Sequence, residues 1–349
     1  MRLALAHSHA RTLGGGERAV LELARRLAPR HQLRLLLGSF SPRTTYPELA
    51  DFPHTRVPRL GWLSTRLPED EVVVANSFGA NLLALRNGPA VGYWVHSVRS
   101  VFLTRGEPRP DLLLRRLLDW LCVRRTGQLI ANSHYTARAL RRLYGREPDA
   151  VVYPGVDLEL FRPASRTAAS FALSVGRLAP EKGVDRLLEV WRELADLPLH
   201  VVGAGEPRLV RKLRRGAPAQ VIFRGPLASA ALAEAYRGAC LAVFAARGEE
   251  FGIAPLEAMA SGLPVVAWRQ GGLLETVVDG ETGFLAADEV TFRQRVRLLA
   301  RDPDLRHRLG ENARRRAEQF SWERTAAEME AVCQRLASGV CPPDRASRP

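Results

Sequence analysis

Short apolar runs recur along the chain, separated by helix-length amphipathic segments. Leu3–Ala6 leads through a glycine loop into a helix over Arg18–Leu27, and Leu33–Leu37, Val72–Ala75, Val91–Val95 and Gln128–Ala131 read as further strands. Between the last two, Leu112–Arg125 carries the stripe Leu114, Leu117, Leu118 and Leu121 of an amphipathic helix, expected to pack on its own sheet. Ser133 can cap a second helix over Tyr135–Tyr144. The alternation then restarts. Phe171–Val175, Leu199–Val202, Val221–Phe223, Leu241–Ala245 and Val265–Trp268 are strands. Asp185–Leu194, Arg208–Arg214, Ala230–Tyr236 and Leu256–Ala260 are helices, and only helices follow as far as Phe320. Strand–helix alternation of this kind builds parallel sheets from βαβ units. The small, polar stretch Arg162-Pro163-Ala164-Ser165-Arg166-Thr167-Ala168-Ala169-Ser170 suits a boundary between two doubly wound, Rossmann-like α/β domains, over 1–164 and 165–320. Residues 339–349 are expected to form a disordered tail. Two such sheets facing one another put the strand-end loops of both on one cleft.

Composition adds compartment and charge. The 349 residues are 46% hydrophobic and 25% charged, with four cysteines at no metal-like spacing, so a reduced, cytoplasmic setting is the expectation. No apolar run approaches the roughly 18 residues of a membrane span. The formal charge of +14 is uneven: residues 1–162 hold 24 arginines, no lysine and 14 acidic groups, a net of +10, against +4 over 163–349. A basic half admits an acidic partner, such as the cytoplasmic face of an anionic membrane; an arginine-rich solvated surface is the plainer account.

The chemistry concentrates in Glu249-Glu250-Phe251-Gly252-Ile253-Ala254-Pro255-Leu256-Glu257-Ala258-Met259-Ala260-Ser261-Gly262. Glu249 falls in the loop after a strand, Pro255 suits the first helical position, and Gly262 stops the helix. Glu257 would then lie in the first turn, where backbone N–H groups converge and favour anions. A nucleoside diphosphate could lie against that helix, with Glu257 accepting from a ribose diol.

The Glu249…Glu257 spacing resembles the Glu-x7-Glu motif of family-4 retaining glycosyltransferases of GT-B fold (glycosyltransferase group 1). Leu13-Gly14-Gly15-Gly16-Glu17 resembles that family's N-terminal glycine loop, and Asn132-Ser133 and Tyr153-Pro154-Gly155-Val156-Asp157 the segments entering its interdomain crossover. Val175-Gly176-Arg177-Leu178-Ala179-Pro180-Glu181-Lys182-Gly183 resembles its donor-phosphate loop. Val202-Gly203-Ala204-Gly205-Glu206, Phe223-Arg224-Gly225 and Gly271-Gly272-Leu273-Leu274-Glu275 follow in the family's order, so the likeness spans about residues 13 to 285. Glu250 departs from it, standing where the family often has Ser or Gly.

The resemblance implies a hexosyl transfer from a UDP- or GDP-linked sugar to a lipid-linked, glycan or small-molecule acceptor, with retention and without a metal. Arg177 and Lys182 would hold the diphosphate and offset its growing charge; Lys182 and Lys212 are the only lysines beside 49 arginines, and Lys212 reads as a solvated helix face. Glu249 would contact the sugar hydroxyls and steady charge at the anomeric carbon, with Phe251, Gly252, Ile253 and Glu257 completing the donor site. Gly15 and Gly16, just before a helix, would let backbone amides approach a phosphate or hydroxyl. His96, at a strand end, resembles the histidine that contacts the transferred sugar. A helix over 321–338 would cross back to the first domain. Tyr93–Arg99 and Ala131–Tyr135 resemble a mannosyltransferase-type branch. Asp302-Pro303-Asp304 is the only Asp-x-Asp pair and reads as a turn, so no metal or other cofactor is expected. A phosphorylase or nucleotide-sugar epimerase of the same architecture is the enzymatic alternative; a pyridoxal phosphorylase would need Lys182 or Lys212 as its Schiff-base lysine. A basic nucleic-acid-binding protein would need aromatic stacking platforms, and aromatics are only 7%, so no nucleic-acid partner is expected.

Overall fold

The computed structural model describes residues 1–98, 110–163 and 171–339. The chain forms two compact units, one of residues 1–155 with those from Trp322 onward, the other of Val156–Ser321. The boundary expected at 164/165, Arg99 of the Tyr93–Arg99 motif, Cys341 and the tail from Val340 lie outside the described residues.

The first unit is a seven-stranded parallel sheet: β1 Arg2–Ala10, β2 Gln32–Phe40, β3 His54–Arg56, β4 Glu71–Ala75, β5 Val91–Val95, β6 Gln128–Ala131 and β7 Ala150–Val151, in the order β3-β2-β1-β4-β5-β6-β7. Its central strands are buried on both faces, which is why β4 and β5 read as unbroken apolar runs without alternation. One face packs on the helix Gly15–Leu27 and on the last helix, Trp322–Ala337, through Leu3, Leu5, Leu21, Trp322, Met329 and Val332. Thr325 Oγ1 also donates to the Tyr153 carbonyl at 2.8 Å, and Arg26 pairs with Glu323 at 2.6 Å. Ser133 caps the helix His134–Tyr144, accepting from the Thr136 N–H at 3.0 Å.

The helix Pro110–Arg125 corrects one expectation. Leu114 and Leu117 are 58% and 53% exposed, while Asp119, Cys122 and Val123 face the core. The first half of the apolar stripe therefore lies off the packing face, while Leu118 and Leu121 are half-buried. The core position goes instead to a carboxylate, satisfied by the Asn81 amide at 2.6 Å and by the Tyr144 hydroxyl. Hydrogen bonding is what lets a polar group occupy that place.

The second unit is a six-stranded parallel sheet: β8 Phe171–Val175, β9 Leu199–Val202, β10 Val221–Gly225, β11 Ala239–Phe244, β12 Val265–Trp268 and β13 Gly283–Ala286, in the order β10-β9-β8-β11-β12-β13. β13 stands where the sequence suggested only helices; four residues, Gly-Phe-Leu-Ala, are too few to show a strand period. Val156 begins this unit because its N–H donates to the Phe320 carbonyl at 2.9 Å, and Arg314 reaches the carbonyls of Phe161 and Ala260 at 2.9 and 2.8 Å. Asp302 does not sit in a free turn. It caps the helix Pro303–Ala317 by accepting from the Leu305 N–H at 2.8 Å.

Candidate active site

Each sheet reverses its strand order once, between β1 and β4 and between β8 and β11. Loops after the strands flanking such a reversal diverge and leave a crevice at the carboxyl edge. The site residues expected from the sequence fall at these two edges.

In the second unit, β8 ends at Val175 and its loop runs through Arg177 and Lys182 to the helix Val184–Trp191; β11 ends at Phe244 and its loop carries Glu249. The two loops meet: Lys182 Nζ donates to Glu249 Oε2 at 2.6 Å, with both side chains largely buried. Gly183 is held at φ +69°, and a β-carbon there would lie 2.0 Å from the Ala245 carbonyl oxygen, so the loops approach more closely than any other residue allows. Arg247, which the sequence reading passed over, fastens them. Its N–H donates to the Glu181 carbonyl at 2.6 Å, and its guanidinium grips Asp185 at 2.8 and 3.1 Å. Burial would raise the Asp185 carboxyl, but the Arg247 hydrogen bond and charge outweigh it and hold the group below its ordinary value. Arg177 is exposed and pairs with Glu181 at 3.1 Å.

The helix after Glu249 spans Ile253–Ala260, three residues longer at its start than the expected Leu256–Ala260. Gly252 enters it at φ +96°. Pro255 is therefore the third helical residue, tolerated because N–H groups of the first turn have no partner inside the helix. Glu257 consequently lies in the second turn, not the first, and the first-turn amides without an acceptor inside the helix include those of Ile253 and Ala254. Tyr236, buried and unremarked in the sequence, places its hydroxyl 3.1 Å from both Glu257 Oε2 and the Ala254 carbonyl. Burial and the adjacent Glu257 push this phenol well above its usual pKa, so it remains a donor. Phe251 is buried against Phe320, and Ile253 is half-buried.

In the first unit, Asn76, His96 and Asn132 directly follow β4, β5 and β6, and His7, inside β1, stands level with Asn76 in the same row. Asn76 Oδ1 lies 2.5 Å from His96 Nε2, and its Nδ2 lies 3.2 Å from His7 Nδ1 and 2.8 Å from the Gly16 carbonyl. The Asn132 amide donates to the His96 carbonyl at 3.3 Å, and the Trp94 ring lies against His96 at 4.2 Å. Burial, then His7, pushes His96 down to about 3; burial likewise lowers His7 despite the nearby Glu17. Gly15 and Gly16 form the first turn of the helix rather than preceding it, because Gly14 already takes the capping, extended conformation. His7 and Asn76 were missed by the sequence reading. Their one sequence mark is position: each ends an apolar run at the strand reversal.

Residues 157–316 match the family model described as glycosyl transferases group 1, and residues 13–160 match that of glycosyltransferase family 4. The chain belongs to the group 1 glycosyltransferases. It is 38% identical over 285 residues to a D-inositol 3-phosphate glycosyltransferase of Geodermatophilus obscurus, covering 70% of this chain and 62% of the relative. The counterpart in Streptomyces bingchenggensis is 34% identical over 261 residues, covering 66% and 57%. This group 1 chain thus spans about three fifths of the length of these curated relatives. Among solved structures, Anabaena HepE in complex with UDP and glucose aligns with a TM-score of 0.79 at 21% identity, over 96% of this chain and 99% of that one. Sucrose-phosphate synthase from Thermosynechococcus elongatus aligns with 0.79 at 22%, over 97% and 100%. These likenesses show the GT-B fold.

Proposed function

We propose that this group 1 glycosyltransferase moves a hexose from a nucleoside-diphosphate sugar to an acceptor hydroxyl with retention of anomeric configuration. The observation that carries the reading is the Lys182–Glu249 pair, a cation and a carboxylate joined at the strand reversal, with the helix beginning at Ile253 following Glu249 in the chain. A diphosphate needs positive charge where its leaving oxygen gains electrons, and a sugar needs a carboxylate to accept from its hydroxyls. Lys182, Arg177 and the first-turn amides of that helix meet the first need and Glu249 the second, with Glu257 on the ribose diol. Gly15 and Gly16 leave amide room in the first unit, and His96 is the neutral group there for the sugar. The acceptor oxygen forms its bond to the anomeric carbon on the face from which the diphosphate departs. The carbon–phosphate-oxygen bond breaks, and the hydroxyl proton passes to a departing phosphate oxygen.

UDP as the base is supported by the HepE complexes with UDP and UDP-glucose; a GDP-linked donor is the second choice. A phosphorylated polyol acceptor is supported by the names of the relatives in Geodermatophilus and Streptomyces. The buried, unbridged thiols Cys122, Cys240 and Cys333 suit a reducing, cytoplasmic compartment. No helix among the described residues is long and apolar enough to cross a membrane. With arginine and lysine charge at the phosphate, transfer proceeds without a divalent ion. The test is a donor panel with inositol phosphate, run with and without chelator, followed by NMR of the product's anomeric centre. An inverted product sinks the mechanism, and activity lost to chelator and restored by magnesium or manganese sinks the metal-free reading.

A further inference from the structure

Asn76 is 2% exposed, and every polar atom of its amide meets a partner. Which end is nitrogen follows from chemistry: the Gly16 carbonyl, 2.8 Å away, can only accept, so the atom facing it must be the donor Nδ2. The second hydrogen of that nitrogen points to His7 Nδ1 at 3.2 Å, which must therefore offer a lone pair. Oδ1, an acceptor only, faces His96 Nε2 at 2.5 Å, so that nitrogen must carry hydrogen. The Gly16 carbonyl, a main-chain group that cannot change its role, thus sets the proton positions on two histidines through one amide.

We infer that Asn76 is a positioning residue that fixes a hydrogen on His96 Nε2, so that the neutral ring presents Nδ1 as a hydrogen-bond acceptor for a substrate hydroxyl. This rests on the proposed contact between His96 and the transferred sugar and adds the direction of that contact. The site reads a hydroxyl hydrogen rather than an oxygen lone pair or an anion. Gly16 belongs to the same device, because a β-carbon there would lie 3.2 Å from His7 Cε1 and press on the ring that Asn76 orients. The charged and titratable groups around the cluster, His7, His9 and Glu17, are those named in its electrostatics.

The experiment is nitrogen-15 NMR of the imidazoles in the whole protein without substrate, assigned through His7→Gln and His96→Gln. Both rings should be neutral at pH 7.5 with hydrogen on Nε2. In Asn76→Asp, which keeps the shape but offers two acceptors, His7 should move its hydrogen to Nδ1 or become an imidazolium. Transfer should fall roughly 10- to 100-fold, as when a group orienting a metal-bound histidine is removed, and nucleoside-diphosphate affinity should stay within twofold. Asn76→Ser is the second variant should Asn76→Asp fold poorly; it should leave His96 exchanging between both tautomers. A wild-type His96 protonated on Nδ1, or a His7 tautomer unmoved in Asn76→Asp, overturns the inference. Correct tautomers with transfer indifferent to His96→Ala would instead sink the sugar contact and leave the proton arrangement standing.

Discussion

The two strand reversals solve the same topological problem with opposite electrostatics. At the edge of the first sheet, His7 and His96 are both displaced toward their neutral forms and are held by a neutral amide. At the edge of the second, Lys182 and Glu249 face each other as ions, and Asp185 is drawn toward its charged form by Arg247. The first unit achieves this although it carries the larger net charge: 23 arginines against 12 acidic groups over residues 1–155, a net of +11, with its residues from Trp322 onward adding none. Bulk charge and site charge are therefore independent quantities. Exposed arginines set the former, and burial at the strand ends sets the latter. A hydroxylated ring suits neutral acceptors, whereas a diphosphate leaving group suits a cation.

The largest expected effect is Lys182→Ala, which should lower turnover by about 10²–10³, the usual loss when one preorganised charge-stabilising group is removed. His96→Ala should also slow transfer, yet leave nucleoside-diphosphate affinity almost unchanged. Steady-state kinetics with parallel calorimetry of UDP binding separates the two. If both variants lost affinity equally, the contrast between a charged edge and a neutral edge would be wrong.

Next in size is a stability effect peculiar to the first unit. Burial raises Asp119 from 3.8 to about 6, against the hydrogen bonds of Tyr144 and Asn81, which pull it down. A raised folded-state value means stability present below pH 3.8 and lost as pH rises through about 6. Its size is roughly 3 kcal/mol, because each tenfold change in proton affinity is worth about 1.4 kcal/mol. His96, lowered from 6.5 to about 3, has the opposite sign: its contribution is present above pH 6.5 and is lost on acidification. Asp119→Asn removes only the first of these. Its stability relative to the native chain should therefore improve as pH rises from about 4 to about 7, as read by thermal melts across that range. A difference independent of pH would show that Asp119 is ionised throughout.

Legibility differed between the two edges for a physical reason. The strands β8, β9 and β12 have the bounds the apolar runs suggested, and Arg177, Lys182 and Glu249 fall on the loops expected of them. Their chemistry is local, carried by rare residue types such as lysine and by turns that demand glycine. The cluster at the first edge is assembled from residues of β1 and of the segments just after β4, β5 and β6, dispersed between residues 7 and 132, so no window of sequence contains it. The same holds for Tyr236, whose partner Glu257 is 21 residues away, and for Arg247, 62 residues from Asp185. The start of the helix at Ile253 was misplaced because proline marks the first turn without fixing which residue of that turn it occupies.

The smallest expected effect tests whether the charged edge is itself supported by neutral groups. Glu257→Ala should weaken UDP binding by about 1.5–3 kcal/mol, the value of hydrogen bonds to a charged partner. Tyr236 touches no part of the proposed ligand, but its hydroxyl is shared between Glu257 Oε2 and the Ala254 carbonyl at equal distance, 3.1 Å. Its single proton can serve only one at a time, so its hold on the carboxylate is partial. Tyr236→Phe keeps the ring that packs edge-on against Phe161 and deletes only that proton donor. The variant should fold normally and bind UDP roughly 2- to 10-fold more weakly, in line with about 0.5–1.5 kcal/mol for one hydrogen bond. In Glu257→Ala the same change should have no further effect, since the ring then has no carboxylate to orient. If the two losses simply added in this double-mutant cycle, Tyr236 would be acting on the helix carbonyl alone, and the two edges would differ in charge but not in how their groups are held.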